Sequence, residues 1–345
     1  MTSEARARRI GVLSFAHYHA NFWSEVFRDQ GRLAGIWDDD TARGQDAATR
    51  FGAPFHENLD DLLGRCDAVA ICSETCRHAE LVQAAARRGL PVLLEKPTAH
   101  NLDSALRIAD TVSQHALFFM QSFPKRFDPV SHYLREQVLT GSLGTLSLVR
   151  IRHGHFYGLD PEFRNRWYVR KALAGGGALL DEGIHGADLL AWLFGLPEKV
   201  NAIVSHAALG LEVEDLGIAN FTWTNGLVAE LTTSFCFAAA DVSIELYGSA
   251  ATLLVSGIDL ASRDITQSGF VRIYKHLSEP RQWQTVDLTP RFKIGQFHHQ
   301  NALAFVAALD SGSPAPVTVD DGLRAQRMIA AAYQAAAEAR CVAIE

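Results

Sequence analysis

The sequence predicts an α/β protein: an N-terminal doubly wound parallel sheet, then an α+β domain with a large, mainly antiparallel open sheet. Short apolar runs alternate with helix-period segments to about residue 121, and runs of period two dominate beyond Pro124. At 345 residues and 48% apolar content, the chain also exceeds one hydrophobic core. The expected domains are 1–123 and 124–345.

In the first domain the apolar runs are Ile10 to Leu13, Leu33 to Trp37, Ala68 to Ile71, Val92 to Leu94 and Leu117 to Met120. Strands alternating with helices imply crossover units and parallel pairing. Among the intervening helices, His78 to Arg88 sets Leu81, Val82, Ala85 and Ala86 on one face and ends at Gly89. Past Pro124, an amphipathic stretch from Pro129 to Leu139 leads to period-two runs at Ile218 to Leu231 and Val242 to Tyr247. Asn225-Gly226 inside the first of these is a strong hairpin signal. Two helices, about Gln296 to Leu309 and Asp320 to Ala339, close the chain, which has no internal repeat and no low-complexity segment.

The formal charge of −7 is spread without acidic or basic blocks, which argues against nucleic acid or a membrane surface as the main partner. Five cysteines, Cys66, Cys72, Cys76, Cys236 and Cys341, are odd in number and mostly lie in apolar runs. No disulfide framework is expected, and no metal ligands. The first apolar run is too short for a signal-peptide core or a membrane span, so a cytoplasmic protein is expected. A small molecule is the expected partner.

Where the first strand turns into its helix the chain reads Ser14-Phe15-Ala16-His17-Tyr18-His19. A dinucleotide site usually needs glycines here, because the backbone must approach a pyrophosphate at a helix N-terminus. Ser14, Ala16 and His19 stand at the three glycine positions, so the motif itself fails. Ser14 and Ala16 are still small, and Ser14, Phe15, Ala16 and His17 form the candidate phosphate contact. Asp38 follows the second strand, 24 residues after Ser14, where a carboxylate accepts from the adenosine ribose. The clustered acids of Asp38-Asp39-Asp40 favour NAD over NADP, with Arg43 as a nearby cation that weighs against that choice. Ser73 and His78 after the third strand, and Glu95 and Lys96 after the fourth, complete the predicted cofactor set. A plain strand-to-helix turn without nucleotide is the other reading of the loop, and a turn residue the other reading of Asp38.

Glu95-Lys96-Pro97 places a lysine just past the carboxyl end of a buried strand, where open parallel sheets hold ligands. Alone, Lys96 also reads as a solvated strand-end residue. In the run from Gly175 to Asp188, Asp181 and His185 are four apart and Asp188 three further on, sharing one helical face that continues to Trp192 and ends at Gly195. Alone, Asp181 also reads as a helix cap and His185 as a core histidine. Gly183 and Gly186 within that helix each cost about 1 kcal/mol against alanine, which suggests a close approach of the backbone.

Together, Glu95-Lys96-Pro97, the Gly175 to Asp188 run with Trp192 and Gly195, Phe123 to Pro129 before Gly141-x-x-Gly144, and Glu245-Leu246-Tyr247-Gly248 resemble the glucose-fructose oxidoreductase and inositol dehydrogenase (Gfo/Idh/MocA) family over nearly the whole chain. The resemblance implies a Rossmann domain and an open-sheet domain whose sheet mediates homodimers or homotetramers. It also implies oxidation or reduction of a secondary alcohol of a sugar, sugar acid or cyclitol with NAD(P). Lys96, Asp181 and His185 match the family's catalytic positions, and the departure lies in the glycine-poor phosphate loop. The chemistry suits these residues: a histidine accepts the hydroxyl proton, a lysine ammonium stabilises charge developing on oxygen, and Asp181 orients the imidazole or binds substrate.

Between Arg150 and Lys171, six basic residues face two acids, interleaved with His153, His155, Phe156, Tyr157, Trp167 and Tyr168. Aromatic faces suit sugar C–H surfaces and guanidinium groups suit carboxylates. The candidate substrate contacts are Arg126, Tyr157, Arg164, Trp167, Lys171, Asp181, His185 and His298, with His299 a lesser one; the alternative is a surface loop packed on the sheet. Two further readings of the whole chain remain open, a noncatalytic dinucleotide-binding regulator and a glycosidase that uses NAD for transient internal oxidation.

Overall fold

The structure, a computed structural model, describes residues 7–238, 241–259, 264–265, 269–288 and 295–345. Two compact units divide the chain: Met1–Pro124 with Gly295–Leu323, and Lys125–Ile294 with Arg324–Glu345.

In the first unit, β1 (Ile10–Leu13), β2 (Leu33–Trp37), β3 (Ala68–Ile71), β4 (Val92–Leu94) and β5 (Phe119–Gln121) form a parallel sheet in the order β2-β1-β3-β4-β5. Every residue of β1, β3, β4 and β5 is buried, so their sequences read as continuous apolar runs rather than alternating ones. The connecting helices are α1 (His19–Asp29), α2 (Thr41–Phe51), α3 (Leu59–Leu63), α4 (His78–Ala86) and α5 (Leu102–Gln114). Asp40, Asn58 and Asn101 cap α2, α3 and α5 by accepting backbone N–H groups in the first turn. The predicted inner face of α4 is buried against Val69, Ile71, Val92 and Leu94. Burying Leu81 and Val82 there contributes about 1.5–3 kcal/mol each.

The second unit begins with α6 (Pro129–Leu139), followed later by α7 (Lys171–Ala174), α8 (Ala178–Asp181) and α9 (Gly183–Phe194). Its ten strands are β6 (Leu146–Gly154), β7 (Lys199–Ser205), β8 (Leu216–Thr222), β9 (Val228–Ser234), β10 (Asp241–Gly248), β11 (Ala251–Asp259), β12 (Asp264–Ile265), β13 (Val271–Lys275), β14 (Trp283–Thr285) and β15 (Val342–Ala343). They run β14-β13-β11-β10-β6-β9-β8-β7-β15, with β12 on β11. All pairs are antiparallel except β6 with β9. Asn225 and Gly226 make the β8–β9 turn: Gly226 has φ 88° and the Asn225 side chain accepts from Leu227 N at 3.1 Å. The predicted fold class is the observed one.

The chain closes with α10 (Gln296–Ser311) and α11 (Val319–Glu338), and these change the expected boundary. Residues 295–323 belong with the first unit, although the sequence reading assigned everything beyond 123 to the second. The physical reason is apolar: α10 packs along α1, and Val319 and Leu323 cover the core beside β3 and β4. All five cysteines are free. Among the described residues, no helix is long and apolar enough to cross a membrane.

Candidate active site

In the first unit the strand order reverses between β1 and β3, which opens a crevice at their carboxyl ends. Ser14 sits there at φ 72°, the left-handed conformation normally left to glycine. Its Oγ lies 3.2 Å from the amide of Ala16, and the Ala16 side chain is only a methyl group. Helix α1 then starts with no side-chain cap and no acid in its own first turn. Ser14 thus takes a left-handed backbone where the first glycine of such a loop would stand, while the amides of Phe15, Ala16 and His17 donate to Asp38, Ser14 Oγ and Cys72 O. His17 and His19 are buried beside this turn; burial and the neighbouring His19 hold the His17 imidazole well below its ordinary range.

Asp38 differs from the expectation of an open carboxylate for ribose. It accepts the amide of Phe15 at 2.7 Å and the guanidinium of Arg43 at 2.9 and 2.6 Å, and its side chain is fully enclosed. Arg43 also reaches Asp39, Glu74 and the Ser14 hydroxyl. The cation that weighed against NAD is thus surrounded by three carboxylates.

Lys96 is buried just past β4. Gln121 steadies this loop by donating to the carbonyls of Leu94 and Glu95 at 3.1 and 3.2 Å and accepting from Thr98 at 2.9 Å. His78, expected at the cofactor, directs Nδ1 at the carbonyls of Pro97 and Thr98, at 3.1 and 3.3 Å. It therefore positions the Lys96 loop. Ser73 is buried, with its hydroxyl donating to Glu74 O.

Burial depresses the His78 pKa, against the opposing effect of its bond to Thr98. Below about pH 6.5 the unfolded chain then binds a proton that the folded chain does not, so stability falls with acidification by up to about 1.4 kcal/mol per pH unit. His78→Asn keeps a donor without the titration. The melting temperature of this variant should depend less steeply on pH between about 6.5 and 5 than that of the parent. Parallel curves would refute the assignment.

In the second unit the expected continuous helix is divided. Helix α8 ends at Asp181, Glu182 breaks the helix, and α9 resumes at Gly183. The carboxylate of Glu214 sets α8 by accepting Gly177 N and Leu179 N at 2.9 Å and the Tyr333 hydroxyl at 2.7 Å. A Cβ on Gly177 would lie 2.0 Å from Glu214 O, so this glycine is required. Gly186 is explained by packing, since a Cβ there would meet Leu231 of β9 at 2.4 Å; at Gly183 the nearest atom is 3.3 Å away. Gly186 therefore serves the fit of α9 to the sheet.

Around the break, the half-buried Asp181 and the buried Glu182 and His185 meet two histidines from the end of β6. His153 Nδ1 lies 2.9 Å and His155 Nε2 3.6 Å from the Glu182 carboxylate, and the His153 and His185 rings are 5.2 Å apart. Burial pushes the Lys125 ammonium below the ordinary lysine range, opposed by Asp128 and Glu182. The cluster combines carboxylates, imidazoles and an amine, and so can bind hydroxyl groups and relay a proton. Glu182, His153, His155 and Lys125 were not among the predicted contacts; Glu182 stands next to Asp181 in sequence, but only the packing of α9 on β6 brings it to the histidines.

Of the other predicted contacts, Tyr157 packs on His155 with ring centres 4.7 Å apart. Arg126 is committed elsewhere: its Nε lies 3.0 and 3.1 Å and its Nη2 2.6 Å from the Asp188 carboxylate, both partners are buried, and Trp192 flanks the guanidinium. Arg164 donates to Leu209 O at 2.6 Å, Trp167 packs on Tyr168, and Lys171 is exposed at the start of α7. His298 belongs to the first unit, 3.7 Å from the His19 ring, and His299 pairs with Glu25 at 2.6 Å.

A doubly wound parallel sheet in one unit and an open, mainly antiparallel sheet in the other are the architecture of an NAD-binding oxidoreductase. The chain belongs to the Gfo/Idh/MocA family: residues 9–123 match the oxidoreductase family's NAD-binding Rossmann fold and residues 131–254 the GFO/IDH/MocA C-terminal domain. It is 28% identical to the uncharacterized oxidoreductase YrbE of Bacillus subtilis, over 81% of this chain and 78% of the relative. It is 29% identical to inositol 2-dehydrogenase of Rubrobacter xylanophilus, over 71% and 69%. The fold superposes on levoglucosan dehydrogenase in complex with NADH with a TM-score of 0.84 at 20% identity, covering 98% of this chain and 99% of the other.

Proposed function

We propose that the protein is an NAD-dependent dehydrogenase acting on a secondary alcohol of a sugar, sugar acid or cyclitol. The observation that carries this reading is the buried Lys96 at the carboxyl end of β4, in a family whose relatives include an inositol dehydrogenase. Bound NAD supplies the hydride acceptor. By resemblance to the family, His185 is assigned the hydroxyl proton, Asp181 the orientation of that imidazole, and Lys96 the negative charge developing on oxygen. Ser14, Phe15 and Ala16 face the pyrophosphate at the α1 N-terminus in this reading. Arg43, enclosed by Asp38, Asp39 and Glu74, presents no uncompensated charge to a 2′-phosphate, which supports NAD over NADP.

The test is a panel of cyclitols, aldoses, uronates and glycosides offered with NAD and with NADP. NADH formation with a ketone product is the expected result. Glycoside cleavage without net NADH, or no turnover across the panel, would overturn the reading.

A further inference from the structure

The phosphate loop differs from its glycine-rich counterparts by gaining histidines, and these do not point to solvent. His17 and His19 are 3% and 4% exposed, and Glu95, from the end of β4, is 1% exposed. The His17 and His19 rings are 4.1 Å apart, and His19 Nδ1 lies 3.0 Å from Glu95 Oε1. One nitrogen of each ring and a Glu95 oxygen all fall within 4.8 Å of one another. The His17 ring is oriented by its Nδ1, which accepts the amide of His19 at 3.2 Å. His298 closes one side, 3.7 Å from His19 and stacked on Phe22.

We propose that His17, His19 and Glu95 form a binding site for a divalent transition-metal ion, of which zinc is the natural occupant class. Two imidazoles and a carboxylate are a donor set that suits zinc, and the same atoms accept cobalt(II) or nickel(II). Tetrahedral ligands at ordinary zinc distances are roughly 3.4 Å apart, so closure on an ion requires side-chain shifts of about 1 Å or less, without a change of backbone. The ion ties the end of β1 to the end of β4. It thereby does by coordination what a tight glycine turn does by conformation, and it adds positive charge beside the loop.

The experiment uses the full-length protein, with any affinity tag removed, stripped with chelator and titrated with cobalt(II) and then zinc(II). Bound metal is measured by mass spectrometry and by the visible ligand-field band of cobalt. One ion per chain with a Kd below about 1 μM is expected, weakened at least tenfold in His19→Asn and in Glu95→Gln. It should be unaffected in His299→Asn, whose side chain pairs with Glu25 instead. The second unit holds another potential donor group, His155, Asp181 and Glu182, so Glu182→Gln is the control. Binding that survives Glu95→Gln but is lost in Glu182→Gln overturns the proposal, as does a parent protein that takes up less than one-tenth of an equivalent. Uptake below one-tenth of an equivalent by the wild-type protein overturns the proposal even where a variant fails to fold.

Discussion

Lys96→Met is expected to lower kcat about 10²- to 10³-fold on whichever alcohol the substrate panel selects, and His185→Ala about 10²- to 10⁴-fold. Methionine keeps the length of the buried lysine and removes its charge, so the loss reports stabilisation of the developing oxyanion rather than packing. Lys96→Arg should recover part of the activity, because it restores a cation at the end of β4. Alanine at His185 removes the group proposed to take the proton, so the variant should lose one limb of the pH–rate profile as well as turnover. Steady-state NADH absorbance measures both effects, with circular dichroism to show that each variant is folded. Near-parental turnover in both would sink the assignment, whatever the NAD affinity.

Asp38→Ala should change the choice of cofactor. The carboxylate fixes the Phe15 amide and two donors of Arg43 in an enclosed position. These charge-assisted bonds lie within the protein, so their loss costs about 1.5–3 kcal/mol of local stability. NAD binding should weaken through the loosened loop, while Arg43, released from its closest acid, gains the freedom to pair with a 2′-phosphate. The ratio of Kd values for NAD and NADP should therefore move toward NADP by at least tenfold. Titration of each cofactor by protein fluorescence measures the ratio, and an unchanged value would remove Asp38 from the adenosine site.

Much of the fold is local in origin and was legible for that reason. The apolar runs of the first sheet, the Asn225-Gly226 hairpin and the α4 face depend on neighbours within a few residues. Lys96 was legible because a strand end in a parallel sheet is a predictable place. Contacts made across long stretches of chain were not legible. Arg126 was expected at the substrate, but its partner Asp188 lies 62 residues away and only tertiary packing joins them. Glu182 carries the same helical period as its neighbours, and Glu214, which clamps the start of α8, comes from 37 residues further along the chain. The glycines at 183 and 186 carried a real signal, but its source at Gly186 is the fit of α9 to β9 rather than the chemistry. At Asp38 the sequence did contain the clue, since Arg43 is one helical turn away; what it could not convey was that the guanidinium folds back over the carboxylate.

The return of residues 295–323 to the first unit bears on how the chain can be made. About 170 residues separate Pro124 from Gly295. At ordinary translation rates, a ribosome would need roughly 10 to 30 seconds to deliver them. Throughout that interval the nascent first unit lacks the partner of α1 and the cover over part of its core. The sheet that is first in sequence is therefore among the last to be finished, and a chain stalled before residue 295 exposes an apolar surface that chaperones are suited to hold. A fragment cut at the apparent end of the nucleotide domain would inherit the same exposed face.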